Sequence, residues 1–151
     1  MNFYNNLVKL TTNKSLYNNL IDEQDSFGDR LSLFLLHFAF ILKEFKNTNN
    51  EKKLQELYDF NFRQLELSIR EIGYGDQSIN KKMKDYINLF HAIISEVHFW
   101  DTMNLIKKKE SLSKFLLNFN KFDNLVSYFD DFNLNLEKYD LNSYLKSVNK
   151  P

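Results

Sequence analysis

The chain of 151 residues contains no Cys, and it has only 3 Gly and 1 Pro. Without cysteine it can form no disulfide, no thiolate metal site and no cysteine nucleophile. A β-sandwich or β-barrel needs many more turn residues than these, so the scarcity of Gly and Pro favours helices. Hydrophobic residues make up 43% of the chain, which excludes disorder on grounds of composition.

The chain also lacks an excess of charge, with 20 basic and 20 acidic residues. Proteins dedicated to nucleic acid usually carry a strong basic excess, so we expect no DNA partner. The most apolar stretch, 31–42, spans only about 18 Å as a helix, whereas the hydrocarbon core of a bilayer is about 30 Å thick. It therefore predicts a buried helix. The first six residues have neither the charged nor the apolar region of a signal peptide, so we expect no secretory leader.

Hydrophobic periodicity predicts an all-α fold: a single compact domain over 1–151 with a central apolar helix. A first helix is predicted over 2–20, with Thr11 and Thr12 as a potential break. Ser26 and Asp29 fit a capping box that opens the central helix, which ends at the turn 47–50. The last forty residues predict two or three shorter helices.

The helix predicted from about Glu51 to Ile72 carries two stripes at spacings of three and four residues. The apolar stripe comprises Leu54, Tyr58, Phe62, Leu65, Ile69 and Ile72, and the charged stripe comprises Asp59, Arg63, Glu66 and Arg70. Members of the charged stripe alternate in sign, so neighbours are expected to pair. Gly73 lies where a left-handed C-cap is expected, and Asp76 or Ser78 is predicted to cap a third long helix that runs to about Lys108.

Three histidines are candidates for metal or haem ligation. His37 lies in the central apolar helix, where a hydrogen-bonded core histidine is the simpler interpretation. His91 and His98 lie about 10.5 Å apart along one helix, which is too far to share a metal ion. His98 and Asp101 are three residues apart, but two ligands make a weak site. We therefore expect no cofactor and no metal, with haem handling by His37, His91 or His98 as an alternative.

No motif supports catalysis. There is no nucleophile elbow, and the loop 73–76 follows a helix and lacks the Lys-Ser/Thr pair of a phosphate loop. The carboxylates of Glu66, Glu71 and Asp76 lie close enough to Arg63 and Arg70 for ion pairing, which is a better account of them than acid–base chemistry. We expect neither an enzyme nor a small-molecule substrate.

Lysines cluster at both predicted ends of the third long helix: Lys81, Lys82 and Lys84 at its start, and Lys107, Lys108 and Lys109 at its end. A solvated helix face explains both clusters. The functional alternative is a basic patch that faces an anionic partner such as a ribosome or lipid headgroups.

Two segments resemble the ubiquinol–cytochrome c chaperone family. The first, Gly28-Asp-Arg-Leu-Ser-Leu-Phe-Leu-Leu-His37, resembles the family's Gly-Arg-Phe followed by an apolar run that ends in Leu-His. The second runs from Leu57 through Arg70-Glu-Ile-Gly-Tyr-Gly-Asp76 to the lysines around Met83. It resembles Phe-Asp-x-x-Phe, then Leu-Arg-Glu-x-Gly-x-Gly-Asp, then a basic cluster around a Met. The resemblance covers roughly 16–122, and residues 123–151 are interpreted as a C-terminal helical extension.

The resemblance implies a bacterial relative of this family: a soluble, helical, non-enzymatic assembly factor that binds cytochrome b early in the biogenesis of ubiquinol–cytochrome c reductase. Mitochondrial members act with a small partner and associate with the ribosome near its exit. We expect a cytoplasmic protein, with the cytoplasmic face of the inner membrane as an alternative location. A helical adaptor at the ribosome or membrane surface is the alternative function. The candidate partner-binding or motif residues are Arg30, His37, Asp59, Arg63, Glu66, Arg70, Glu71, Gly73, Gly75, Asp76, Lys81, Lys82 and Lys84.

Overall fold

Most of the described part of the chain is helical. The computed structural model describes residues 2–11 and 27–148. Its helices are α1 (Asn2–Thr11), α2 (Phe27–Phe45), α3 (Glu51–Ile72), α4 (Asp76–Val97), α5 (Leu105–Ser113), α6 (Phe122–Leu136) and α7 (Leu141–Val148), with a 3₁₀ turn at Trp100–Thr102 between α4 and α5. The predicted all-α fold class is confirmed.

Helix α2 is the central helix, as predicted. Of its 19 residues, 13 are buried, and helices α1, α4 and α6 pack against it. Aromatic rings fill these contacts. Phe38 meets Phe3 of α1 edge-on at 5.9 Å and stacks on Phe90 of α4 at 5.2 Å, while Phe40 stacks on Phe129 of α6 at 5.3 Å. Such ring pairs add stabilisation beyond the area they bury.

Helices α3 and α4 form a hairpin. The predicted bounds of α3 are confirmed, and the turn before it is held by Asn50, whose Nδ2 donates to the Phe45 carbonyl at 2.9 Å. Phe62 of α3 lies 5.4 Å from Phe90 of α4, ring centre to ring centre. The other end of the hairpin, beyond Ile69 on α3 and before Ile79 on α4, carries no buried residue.

The predicted third long helix is wrong at its C-terminal end. Helix α4 ends at Val97, because Trp100 turns inward and its Nε1 donates to the carboxylate of Asp130 at 2.9 Å. A separate helix, α5, then begins. Its N-cap is Asn104, whose side chain accepts from the backbone N–H of Lys107 at 2.9 Å. Lys107 therefore lies in the first turn of α5 and not at the end of a long helix.

Part of the predicted N-terminal region lies outside the described residues. Helix α1 is described only to Thr11, so the predicted continuation to residue 20 and the capping role of Ser26 are not included. Asp29, the other member of the proposed capping box, is buried in the first turn of α2 and accepts a hydrogen bond from Asn118 at 2.9 Å. Across 2–11 and 27–148, no helix combines the length and apolarity needed to cross a bilayer.

Candidate functional site

The turn between α3 and α4 presents a continuous exposed segment, 70–78, which we call the hairpin tip. Gly73 has a φ angle of 107° and donates its backbone N–H to the Arg70 carbonyl at 3.0 Å, so the predicted left-handed C-cap is confirmed. The predicted cap of α4 is wrong. Its N-cap is Gly75, with no side-chain hydrogen bond, and Asp76 is the first helical residue, where its charge favours the helix dipole.

Arg70 joins the two helices across the hairpin tip. Its Nη1 donates to Oδ1 of Asp76 on α4 at 2.7 Å, and its Nη2 lies 3.7 Å from Oε1 of Glu66, one turn earlier on α3. The hydrogen bond with Asp76 raises the pKa of the Arg70 guanidinium. Arg70 and Asp76 are exposed and Glu66 is half-buried, so these contacts fix the geometry of the tip more than they stabilise the fold.

The rest of the predicted charged stripe does not form a chain of ion pairs. Asp59 accepts a hydrogen bond from Gln55 Nε2 at 2.9 Å, which occupies the carboxylate one turn before Arg63. Arg63 and Glu71 are exposed and make no ion pair with any residue in 2–11 or 27–148. Only the last pair of the stripe, Glu66 with Arg70, is brought together.

Apolar and cationic side chains share the hairpin tip. Ile72 was predicted to end the buried stripe of α3, but 58% of it is exposed, because the helix ends there and Gly73 turns the chain away. Tyr74 is 44% exposed, and the ammonium of Lys82 lies 4.5 Å from the centre of its ring, in cation–π contact. Lys81 and Lys84 point to solvent on the first turns of α4. The tip is thus both hydrophobic and charged.

His37 is a core histidine, as the simpler interpretation had it. It is fully buried; Nδ1 donates to the Leu33 carbonyl at 2.6 Å, and Nε2 accepts from the hydroxyl of Tyr128 at 2.7 Å. Burial lowers the pKa of His37 to about 4, although the bond to Leu33 opposes this. Both ring nitrogens are therefore engaged inside the protein, and neither is presented to a haem iron.

The other histidines form no ligand set. His91 and His98 are exposed on α4 and at its end, and the nearby carboxylate of Asp101 is engaged by Lys43 Nζ at 2.7 Å and by Asn133 Nδ2 at 2.8 Å. No group of three or more potential metal ligands occurs among the residues the structure describes. Arg30 lies on the first turn of α2, where it lines a small cavity of about 150 Å³ together with Leu65 of α3.

Sequence reasoning missed a larger feature, a groove of about 520 Å³ between the end of α2, the start of α3 and the end of α4. Its lining residues are Leu42, Lys43, Lys46, Asn47, Thr48, Glu51, Leu54, Gln55, Tyr58, Ile94 and His98. Glu51, Leu54, Gln55 and Tyr58 follow the i, i+3, i+4, i+7 pattern of one helix face. That pattern was the available signal, but Leu54 and Tyr58 also belong to the apolar stripe that continues into the core.

Comparison with known proteins gives one result. No curated protein and no solved structure matches the chain. Residues 21–98 match the family described as ubiquinol-cytochrome C chaperone, and this match covers just over half of the 151 residues. The matched region contains the central helix, all of α3 and α4, and the hairpin tip between them. This chain belongs to the ubiquinol-cytochrome c chaperone family.

Proposed function

We propose that the protein is a non-enzymatic assembly chaperone that binds cytochrome b during biogenesis of ubiquinol–cytochrome c reductase. The observation that carries the proposal is the family match over 21–98, which supports a chaperone role and a client in the respiratory complex. The proposal that cytochrome b is this client is more specific than the family match. It is based on the resemblance of the sequence motif around Arg70 and Gly73 to that family.

The hairpin tip is the first docking surface that we propose. A chaperone that holds a membrane-protein client must offer apolar contact without an exposed patch large enough to cause aggregation. Ile72 and Tyr74 supply a small apolar area on a turn that the Arg70–Asp76 hydrogen bond holds in place. Charged residues lie on α3 and α4 on either side of the tip: Arg63, Glu66, Glu71, Lys81, Lys82 and Lys84. Such a charged periphery is suited to orienting a partner.

We further propose that the chaperone meets its client at the cytoplasmic face of the inner membrane. Lys81 and Lys84, which are exposed beside the tip, fit a surface that faces the anionic ribosome or lipid headgroups. The alternative function, a helical adaptor at the ribosome or membrane surface, is proposed to use the same surface. Loss of every respiratory complex on deletion, and not of one complex alone, would favour the adaptor.

Deletion of the gene is the direct test. We expect the deletion strain to lose assembled cytochrome b and quinol-dependent reduction of cytochrome c, while the other respiratory complexes persist. Complementation separates the docking surface from the fold. The double variant Ile72→Asp/Tyr74→Ser is expected to fail, and Leu117→Asp, which places the same charge at a leucine 77% exposed in another part of the chain, is expected to succeed. Normal cytochrome b in the deletion strain would contradict the proposed function.

A further inference from the structure

The groove described above is a place where three helices leave apolar side chains uncovered. Leu42 of α2, Leu54 and Tyr58 of α3, and Ile94 of α4 form its floor, and each is only partly buried although it packs against the core. The volume of about 520 Å³ lies within the range of about 300–1,000 Å³ that is usual for ligand sites. The groove therefore has room for several apolar side chains of a partner.

Charge at the rim of the groove is balanced. Lys43 is neutralised by Asp101 at 2.7 Å and also donates to Asn133 Oδ1 at 3.2 Å. Lys46 and Glu51 are exposed and opposite in sign. A nucleic acid or an anionic lipid surface requires an excess of cationic groups, so this rim fits an occupant with no net charge.

Uncharged hydrogen-bonding groups complete the rim. Asn47 and Thr48 are exposed in the turn before α3 and line the groove. Oδ1 of Asn47 accepts from the backbone N–H of Asn50 at 3.1 Å, so these two residues offer the Nδ2 donor of Asn47 and the hydroxyl of Thr48 above the apolar floor. Peptide N–H and C=O groups lose free energy when they leave water without new partners, and such side chains supply partners. A hydrocarbon chain has no hydrogen-bonding groups and so forms no hydrogen bonds with these side chains. The rim thus matches a peptide and not an acyl chain.

An exposed aromatic ring extends the apolar surface past the mouth of the groove. Phe99, which is 59% exposed, follows directly after the rim residue His98, and their ring centres lie 4.8 Å apart. Aromatic side chains are enriched among the interface residues that contribute most to binding energy. The exposed ring of Phe99 is therefore suited to contact with a partner bound in the groove.

From this arrangement we infer that the groove holds a short, uncharged, apolar peptide segment of the client, with its side chains on the floor and its backbone bonded to the rim. The inference rests on the proposed function, since the client is taken to be a membrane protein whose apolar segments are exposed before assembly. The groove is distinct from the hairpin tip, which lies at the other end of α3.

The absence of cysteine allows the inference to be tested by single-site crosslinking. Thr48→Cys places a benzophenone maleimide at the groove, and Asn142→Cys places it at an exposed position on α7 as the matched control. The labelled full-length proteins are mixed with cytochrome b made by cell-free translation, irradiated, and analysed for the crosslinked product. We expect a cytochrome b adduct from Thr48→Cys and little from Asn142→Cys.

A substitution at the floor provides a second measurement. Leu54→Asp is expected to weaken retention of cytochrome b about tenfold, since it removes one buried leucine contact. Leu117→Asp is expected to retain the client like the wild type. Thermal unfolding of both variants shows whether Leu54→Asp is folded, and the crosslinking result stands even if it is not.

The outcomes separate the two proposals. If the wild type retains cytochrome b but Thr48→Cys yields no more adduct than Asn142→Cys, the groove inference is wrong and the proposed function stands. If the wild type retains no cytochrome b in this assay, the proposed function fails and the groove inference fails with it. A Thr48 adduct that maps to a charged loop of cytochrome b would also overturn the inference, because the balanced charge at the rim of the groove fits an uncharged segment.

Discussion

Protonation of His37 is expected to destabilise the fold in mild acid. The imidazole is fully buried among Tyr128, Phe129 and Phe132, with ring centres at 5.0–5.5 Å. The experiment lowers the pH and compares the change in the free energy of unfolding between the wild type and His37→Gln. Glutamine has a similar volume and can form hydrogen bonds, but it does not titrate.

The magnitude follows from the pKa of His37, which burial lowers from 6.5 to about 4. Because the folded-state pKa is the lower one, the unfolded chain binds the proton more tightly. The contribution of neutral His37 is therefore fully present above pH 6.5, is lost as the pH falls towards 4, and stays constant below that value. The difference of about 2.5 pKa units corresponds to a loss of about 3 kcal/mol in the free energy of unfolding.

Urea unfolding followed by the fluorescence of Trp100 measures this loss. Trp100 is the single tryptophan and is 1% exposed, so its emission reports the core. Titrations at several pH values between about 7 and 4 give the free energy of unfolding of each protein. Carboxylates titrate in both proteins, so only the difference between wild type and His37→Gln isolates the histidine. If that difference stays constant over this range, the reasoning about His37 is refuted.

Three further predictions concern single side chains. Gly73→Ser is expected to lower the free energy of unfolding by about 1 kcal/mol in a urea titration, whereas Gly75→Ser, at φ −77° and in an N-cap position, should cost nothing; equal losses would contradict the cap assignment. Arg70→Lys should lower the melting temperature slightly and the retention of cytochrome b in parallel, because an ammonium cannot span two carboxylates; a variant with both unchanged would defeat this role. Asp130→Ala should cost about 1–3 kcal/mol by leaving the Trp100 N–H without its acceptor, and Asp130→Asn, which keeps an oxygen there, should cost less; equal costs would show that the bond is not the cause.

Structural features could be predicted from the sequence wherever local helix rules and tertiary packing favoured the same conformation. Helix α3 begins and ends where its periodicity and its glycine predict, and the φ angle of Gly73 follows from the stereochemistry of helix ends. The burial of α2 could be predicted because apolar residues surround it on nearly every side. The Arg70–Glu66 contact was also predictable, since residues four apart on a helix are neighbours.

The remaining features depend on contacts between residues that are far apart in the chain. Helix α4 ends early because Trp100 finds an acceptor thirty residues later, and no local pattern encodes that pairing. The partner of His37 lies 91 residues away on α6, for the same reason. The groove was not predictable either, because an apolar stripe does not indicate which of its residues the neighbouring helices leave uncovered.

The position of α2 at the centre of the fold has a consequence for synthesis on the ribosome. Helix α2 emerges before α6, but Phe40 of α2 stacks on Phe129 of α6, which is synthesised much later. Until α6 has left the exit tunnel, the side of α2 that carries Phe40 and His37 remains in water. The packing of α2 against α6 therefore cannot be completed until α6 is available. A nascent chain stalled before α6 would itself need protection from aggregation, as the client of a chaperone does.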